Sequence, residues 1–114
     1  MIKFYFHPSP NPLKVVLCLE ELGLTYEVVP VDTFQGQQHE PKFLAINPNA
    51  KVPAIIDDNM TVFDSNAILI YLADKYGQFL PSLNKAETLS WLMFVATGLS
   101  PFSGQAVHFL QMCP

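Results

Sequence analysis

Three short stretches carry side chains able to do chemistry. The first is Ser9-Pro10-Asn11-Pro12, a hydroxyl and a carboxamide set between prolines. The second is Lys51-Val52-Pro53, a cation and an X-Pro step at the start of a predicted strand. The third is Asp64-Ser65, at the head of an apolar run, where a helix N-terminus offers unpaired N–H groups to an anion. Ser9, Asn11, Asp64 and Ser65 also have a plain reading, because all four are good helix caps. The other reactive residue types do not gather. Cys18 and Cys113 lie far apart and form no C-x-x-C pair, and Cys18 sits among Val15, Val16, Leu17, Leu19 and Leu22 as a packing residue would. His7, His39 and His108 share no metal-ligand spacing, so no metal site is expected.

These stretches need elements to hold them. Residues 2–6 read as a short buried strand. A chain cannot cross the prolines at 8, 10 and 12 as a helix interior or central strand. Asn11 is then the expected N-cap and Pro12 the first helical position of a helix over 13–22, stopped by Gly23. A strand over 26–31 completes a right-handed βαβ unit. Residues 33–40 form a polar loop and 41–46 a short helix, ended by Asn47-Pro48-Asn49. Strands over 51–56 and 60–63 pair as a hairpin through Asp57-Asp58-Asn59. Asp64-Ser65 caps a helix over 66–76 that Gly77 closes.

The expected class is therefore α/β, in the order β-α-β-α-β-β-α, a four-stranded mixed sheet with helices on both faces. That is the order of a thioredoxin-like domain. The expected organisation is residues 1–80 as this domain, 81–85 as a linker, and 86–114 as the first helix of an all-α domain. Gly98 and Pro101 are expected to bend or interrupt that helix.

Composition narrows the function. Of 114 residues, 50% are hydrophobic and 14% charged, enough for a core with apolar surface to spare. The net charge is −4 and all six basic side chains are lysines, which argues against nucleic-acid binding, where arginine forks on a basic face are the rule. The first residues are interrupted too soon by Pro8 for a signal peptide, and no apolar window is long enough to span a membrane. A reducing, cytoplasmic setting and no membrane partner are the expectation.

Four features of that order make a specific resemblance. Ser9-Pro10-Asn11-Pro12 sits where thioredoxins and glutaredoxins carry C-x-x-C. Lys51-Val52-Pro53 sits where they carry a cis-proline. Asp64-Ser65-Asn66-Ala67-Ile68 resembles the E-S-x-A-I signature of glutathione transferases, and Phe79-Leu80-Pro81 resembles their interdomain link. Residues 1–83 thus resemble a glutathione S-transferase amino-terminal domain. A narrower resemblance is carried by Ser9-Pro10-Asn11, Gly36-Gln37-Gln38, the run 47–55 and the run 98–105. These are similar to the bacterial nu-class transferases, which reduce disulfides using a Thr or Ser and an Asn in place of a catalytic Tyr or Cys.

The resemblance implies glutathione as bound substrate or cofactor and assigns roles to residues. Val52, before a cis-proline, would pair its backbone with the cysteinyl part. Ser65 and the N–H groups opening the helix over 66–76 would take the γ-glutamyl carboxylate, and Asp64 its ammonium. Lys51 and Gln38 would hold the glycyl carboxylate. Ser9 and Asn11 would stabilise the thiolate as catalytic donors. The second substrate would be an electrophile or a disulfide. The rival expectation is a non-catalytic binding or regulatory module of the same fold, or an inactive remnant, because the family's helical domain runs about a hundred residues further. Leu92, Phe94, Val95, Leu99, Phe102, Phe109 and Leu110 cannot all be buried in one such monomer, which predicts a homodimer or aggregation.

Overall fold

The computed structural model describes residues 1–112, which cluster into one unit over Met1–Gln78 and a second from Phe79 onward. The first unit runs β1 (Ile2–Phe6), α1 (Pro10–Glu21), β2 (Tyr26–Pro30), two 3₁₀ turns (Thr33–Gln35 and Gln37–His39), α2 (Pro41–Leu44), β3 (Ala54–Asp57), β4 (Met60–Phe63) and α3 (Ser65–Tyr76). The sheet order is β2-β1-β3-β4. β1 lies parallel to β2, with Ile2 opposite Tyr26, and antiparallel to β3, with Phe4 opposite Ile55. β3 and β4 form the antiparallel hairpin. This is the thioredoxin-like arrangement.

Strand alternation divides the core. Successive strand residues face opposite sides, so Ile2, Phe4 and Ile55 pack with Val15 and Leu19 of α1 and with Ile68 and Leu72 of α3. Tyr5 and Ala54 face the other way, against Val31 and Phe43. Each large side chain buried this way contributes about 1.5–3 kcal/mol. The sheet is thereby fixed with the heads of α1 and α3 on one side.

The structure corrects the expected starts of α1 and β3 and adds turns to the loop over 33–40. α1 begins at Pro10, with Ser9 in extended backbone as its N-cap, so Asn11 is inside the first turn. The prolines do not forbid this, because the first N–H groups of a helix have no intrahelical acceptor to lose. At its other end Gly23, at φ 66°, closes a Schellman motif: Leu24 N–H reaches the Leu19 carbonyl and Gly23 N–H that of Glu20. β3 starts at Ala54 rather than residue 51, because residues 47–51 are folded into a tight turn described below. The loop over 33–40 contains both 3₁₀ turns, the first capped by the Asp32 carboxylate, which accepts from Phe34 N–H at 3.0 Å.

The second unit opens with a 3₁₀ turn (Ser82–Asn84). It continues through α4 (Lys85–Phe94), a π-helical turn (Val95–Leu99), α5 (Ser100–Val107) and a second π-helical turn (His108–Met112). Gly98 and Pro101 do not interrupt the run: Val95, Leu99 and Ser100 keep right-handed helical backbone. Pro101 lacks an N–H and its ring crowds the carbonyl four residues back, and the wider π turn before it accommodates both. Trp91, Phe94, Phe102 and Leu110 are exposed on this unit. Among the described residues no helix is long and apolar enough to cross a membrane.

Candidate functional site

The head of α1 is nearly stripped of donors. Pro10 and Pro12 have no N–H, and Leu13 N–H is bound to the Ser9 carbonyl at 3.2 Å. Asn11 therefore supplies both a backbone N–H with no acceptor among the described residues and a side-chain amide. The Ser9 hydroxyl donates to the His7 carbonyl at 3.1 Å.

The turn after α2 is built around Asn47, which is only 2% exposed. Its Oδ1 accepts from Asn49 N–H at 2.9 Å and its Nδ2 donates to the Lys51 carbonyl at 2.8 Å. Ala50 closes the turn at φ 55°. This clamp delivers Lys51, Val52 and Pro53, with the Val52–Pro53 peptide cis. No hydrogen bond among the described residues uses the Val52 N–H or carbonyl. An unpaired strand-like edge of this kind can pair with an extended peptide.

The head of α3 differs from expectation. Asp64 is its N-cap, and Oδ1 already accepts from Asn66 N–H at 2.9 Å and Ala67 N–H at 3.2 Å. Ile68 N–H is bound to the Asp64 carbonyl at 2.9 Å. What this helix head still offers an anion is the N–H and the hydroxyl of Ser65, a buried residue whose side chain has no hydrogen-bond partner among the described residues. Asp64 holds φ 74° and ψ 124°, a conformation that costs a non-glycine residue about 1–3 kcal/mol and that tends to persist where function requires it.

These three starts meet in one polar cavity of about 170 Å³. Asn11 comes from α1, Lys51, Val52 and Pro53 from the clamped turn, and Asp64 and Ser65 from α3, with Asn47, Asn49 and Phe63 completing the wall. Beside it, Lys14 Nζ donates to Asn66 Oδ1 at 2.8 Å. Partial burial lowers the Lys14 pKa, while the nearby Asp64 carboxylate pulls it back up.

Residues 1–74 match the family model described as Glutathione S-transferase, N-terminal domain. The chain belongs to the glutathione S-transferase family. Over an alignment of 123 positions this chain is 44% identical to the disulfide-bond oxidoreductase YfcG of Escherichia coli, covering 100% of itself and 57% of that protein. A glutathione transferase family member from Pseudomonas fluorescens, solved with two glutathione bound, superposes with a TM-score of 0.92 at 44% identity, over 96% of this chain and 52% of that one. A glutathione transferase from Pseudomonas putida, with glutathione disulfide bound, gives 0.91 at 40% identity, over 95% and 50%. The chain thus spans about half the length of the relatives it matches.

Of the residues expected to form the transferase site, Asn11, Lys51, Val52, Pro53, Asp64 and Ser65 line the cavity, whereas Ser9 and Gln38 do not. Gln38 sits in the second 3₁₀ turn, its amide oxygen buried without a partner among the described residues. Sequence reasoning missed Asn47 and Lys14. The Asn-Pro-Asn turn chemistry pointed to Asn47, but no local pattern pairs Lys14 with a residue 52 positions away. Cys18 packs against the core, and burial raises its pKa, which disfavours a reactive thiolate.

Proposed function

We propose that the cavity binds glutathione and that the chain serves glutathione-dependent disulfide reduction. The observation that carries this reading is the meeting, in one cavity, of an unpaired Val52 backbone, the Ser65 donors and the Asn11 amide. The tripeptide would pair along Val52, place its γ-glutamyl carboxylate on Ser65 and turn its glycyl carboxylate toward Lys51. Its sulfur would then lie at the α1 head, where Asn11 donates to it.

The proposed reaction follows thiol–disulfide exchange. The bound thiolate attacks one sulfur of the substrate disulfide, forming a mixed disulfide and releasing the other sulfur as a thiolate. A second glutathione thiolate attacks the mixed disulfide, giving glutathione disulfide and the second substrate thiolate. No side chain of the protein changes oxidation state. Its task is to hold the sulfur ionised and to align the attack.

An Asn11→Ala variant tests this. Absorbance near 240 nm should show the bound thiol of the unmodified protein ionising about one unit or more below a free thiol at about 8.5. The variant should lose most of that shift and about tenfold in exchange rate. Equal thiol pKa values in the two proteins would contradict a role for Asn11. A reading without turnover is favoured by Ser9, whose hydroxyl is turned to its own backbone. In that case binding is expected with no faster exchange.

A homodimer in the cytoplasm also belongs to this proposal. Trp91, Phe94, Leu99, Phe102, Phe109 and Leu110 are exposed, and large apolar side chains gathered at a surface favour an interface. Light scattering at tens of micromolar should report a dimer or larger species, and a clean monomer would contradict it.

A further inference from the structure

Lys14 lies three residues beyond Asn11 on α1, a spacing that puts both on one helix face. Its ammonium crosses to α3 and donates to Asn66 Oδ1 at 2.8 Å. Asn66 directly follows Ser65, and its N–H is held by Asp64 at 2.9 Å. One side chain therefore links the helix that carries Asn11 to the helix head that carries Ser65.

Holding a lysine in place is unfavourable by itself. It gives up much rotamer freedom, and partial burial disfavours its charged form. A local electrostatic need balances this. Asp64 spends its carboxylate on N–H groups that would otherwise attract an incoming anion. A γ-glutamyl carboxylate arriving at Ser65 meets that negative charge, and like charges at short range oppose joint ionisation. A cation beside Asp64 offsets the repulsion.

We propose that Lys14 is a positioning residue of the glutathione site, tying the head of α1 to the head of α3 through Asn66 and offsetting the Asp64 charge where the γ-glutamyl carboxylate lands. The proposal rests on the glutathione reading above. Neither function requires Lys14 to touch the tripeptide. The offset requires its charge, and the link requires a donor to Asn66.

The test is calorimetric titration of reduced glutathione into the full chain and into four variants: Lys14→Met, Lys14→Arg, Asn66→Leu and the Lys14→Met/Asn66→Leu pair. All are measured at a temperature where circular dichroism shows them folded. Lys14→Met should weaken binding about tenfold, and Lys14→Arg should keep it within about threefold. The pair should lose little more than Lys14→Met alone, because both changes break one link. Affinity of the unmodified protein should fall more steeply with salt than that of Lys14→Met, which a merely structural lysine would not produce. Should Lys14→Met fail to fold, Lys14→Gln, a donor without charge, takes its place, with a loss of about three- to tenfold expected. Binding by Lys14→Met or its substitute within about twofold of the unmodified protein, while Ser65→Ala loses it, overturns the proposal and leaves the glutathione reading intact. Additive losses in the pair, or no rescue by arginine, also overturn it. A folded unmodified protein that binds no glutathione overturns the glutathione reading, and this proposal with it.

Discussion

Replacing Ser65 with alanine should weaken glutathione binding about 10- to 100-fold and leave the fold as stable as before. The two expectations come from the same observation. Ser65 is buried at the first turn of α3, lines the cavity and gives its hydroxyl to no other group among the described residues. A hydroxyl without a protein partner contributes little to folding, so its removal should change stability by no more than about 0.5 kcal/mol. A hydrogen bond to a carboxylate is worth about 1.5–3 kcal/mol, and that would be lost from binding. Asp64→Ala should behave differently, because it removes the cap of α3 as well as an acceptor. Glutathione titrations and thermal melts on the unmodified protein and Ser65→Ala decide the matter. Unchanged affinity, or a large loss of stability, would contradict this account.

The second large effect concerns stability and pH. Asp57 ends β3 with its side chain only 5% exposed, and Oδ2 accepts from Tyr71 at 3.0 Å and from Lys75 at 2.5 Å, both on α3. Burial alone would raise the Asp57 pKa, but the hydrogen bonds from Lys75 and Tyr71 outweigh it and the net shift is downward. The Lys75 pKa is raised, chiefly by its hydrogen bond to Asp57. Asp57→Asn should therefore cost about 2–3 kcal/mol at neutral pH. A carboxylate with a depressed folded pKa stabilises above its unfolded value, about 3.9, and loses that contribution as pH falls through the folded value. The gap between the two proteins in urea denaturation should thus be full at pH 7 and shrink steadily below about pH 4. Lys75→Met should cost more than Asp57→Asn, because it strands a buried carboxylate, whereas a partly exposed lysine left alone can rehydrate. A gap that stays constant down to pH 3 would refute the ionic account.

Much of the fold was legible because its signals are local. The short buried run over 2–6 and the glycine stops at 23 and 77 act over a few residues and are found where expected, and the hairpin turn is found at Asp58-Asn59, with Asp57 taken into β3. The misread prolines share one cause: a rule about a regular helix interior was applied where the backbone leaves room for the ring. Prolines that would break a helix interior cost nothing in the first turn of α1, and Pro101 fits once the preceding turn widens. The site was legible to the extent that it follows from a family pattern. Six residues named for that reason line a single cavity. What escaped depends on tertiary distance or on competition. Lys14 meets Asn66 only after α1 and α3 pack together. The N–H groups at the head of α3 looked free in the sequence, yet the Asp64 carboxylate, two or three residues away, claims two of them first.

The central claim is that this cavity takes glutathione. Isothermal titration of reduced glutathione into the folded, unmodified chain tests it most directly. A dissociation constant between about 1 μM and a few millimolar, with one tripeptide bound per chain, is the predicted result. A folded sample that gives no binding heat and no ligand-induced rise in melting temperature at about 10 mM glutathione would contradict it.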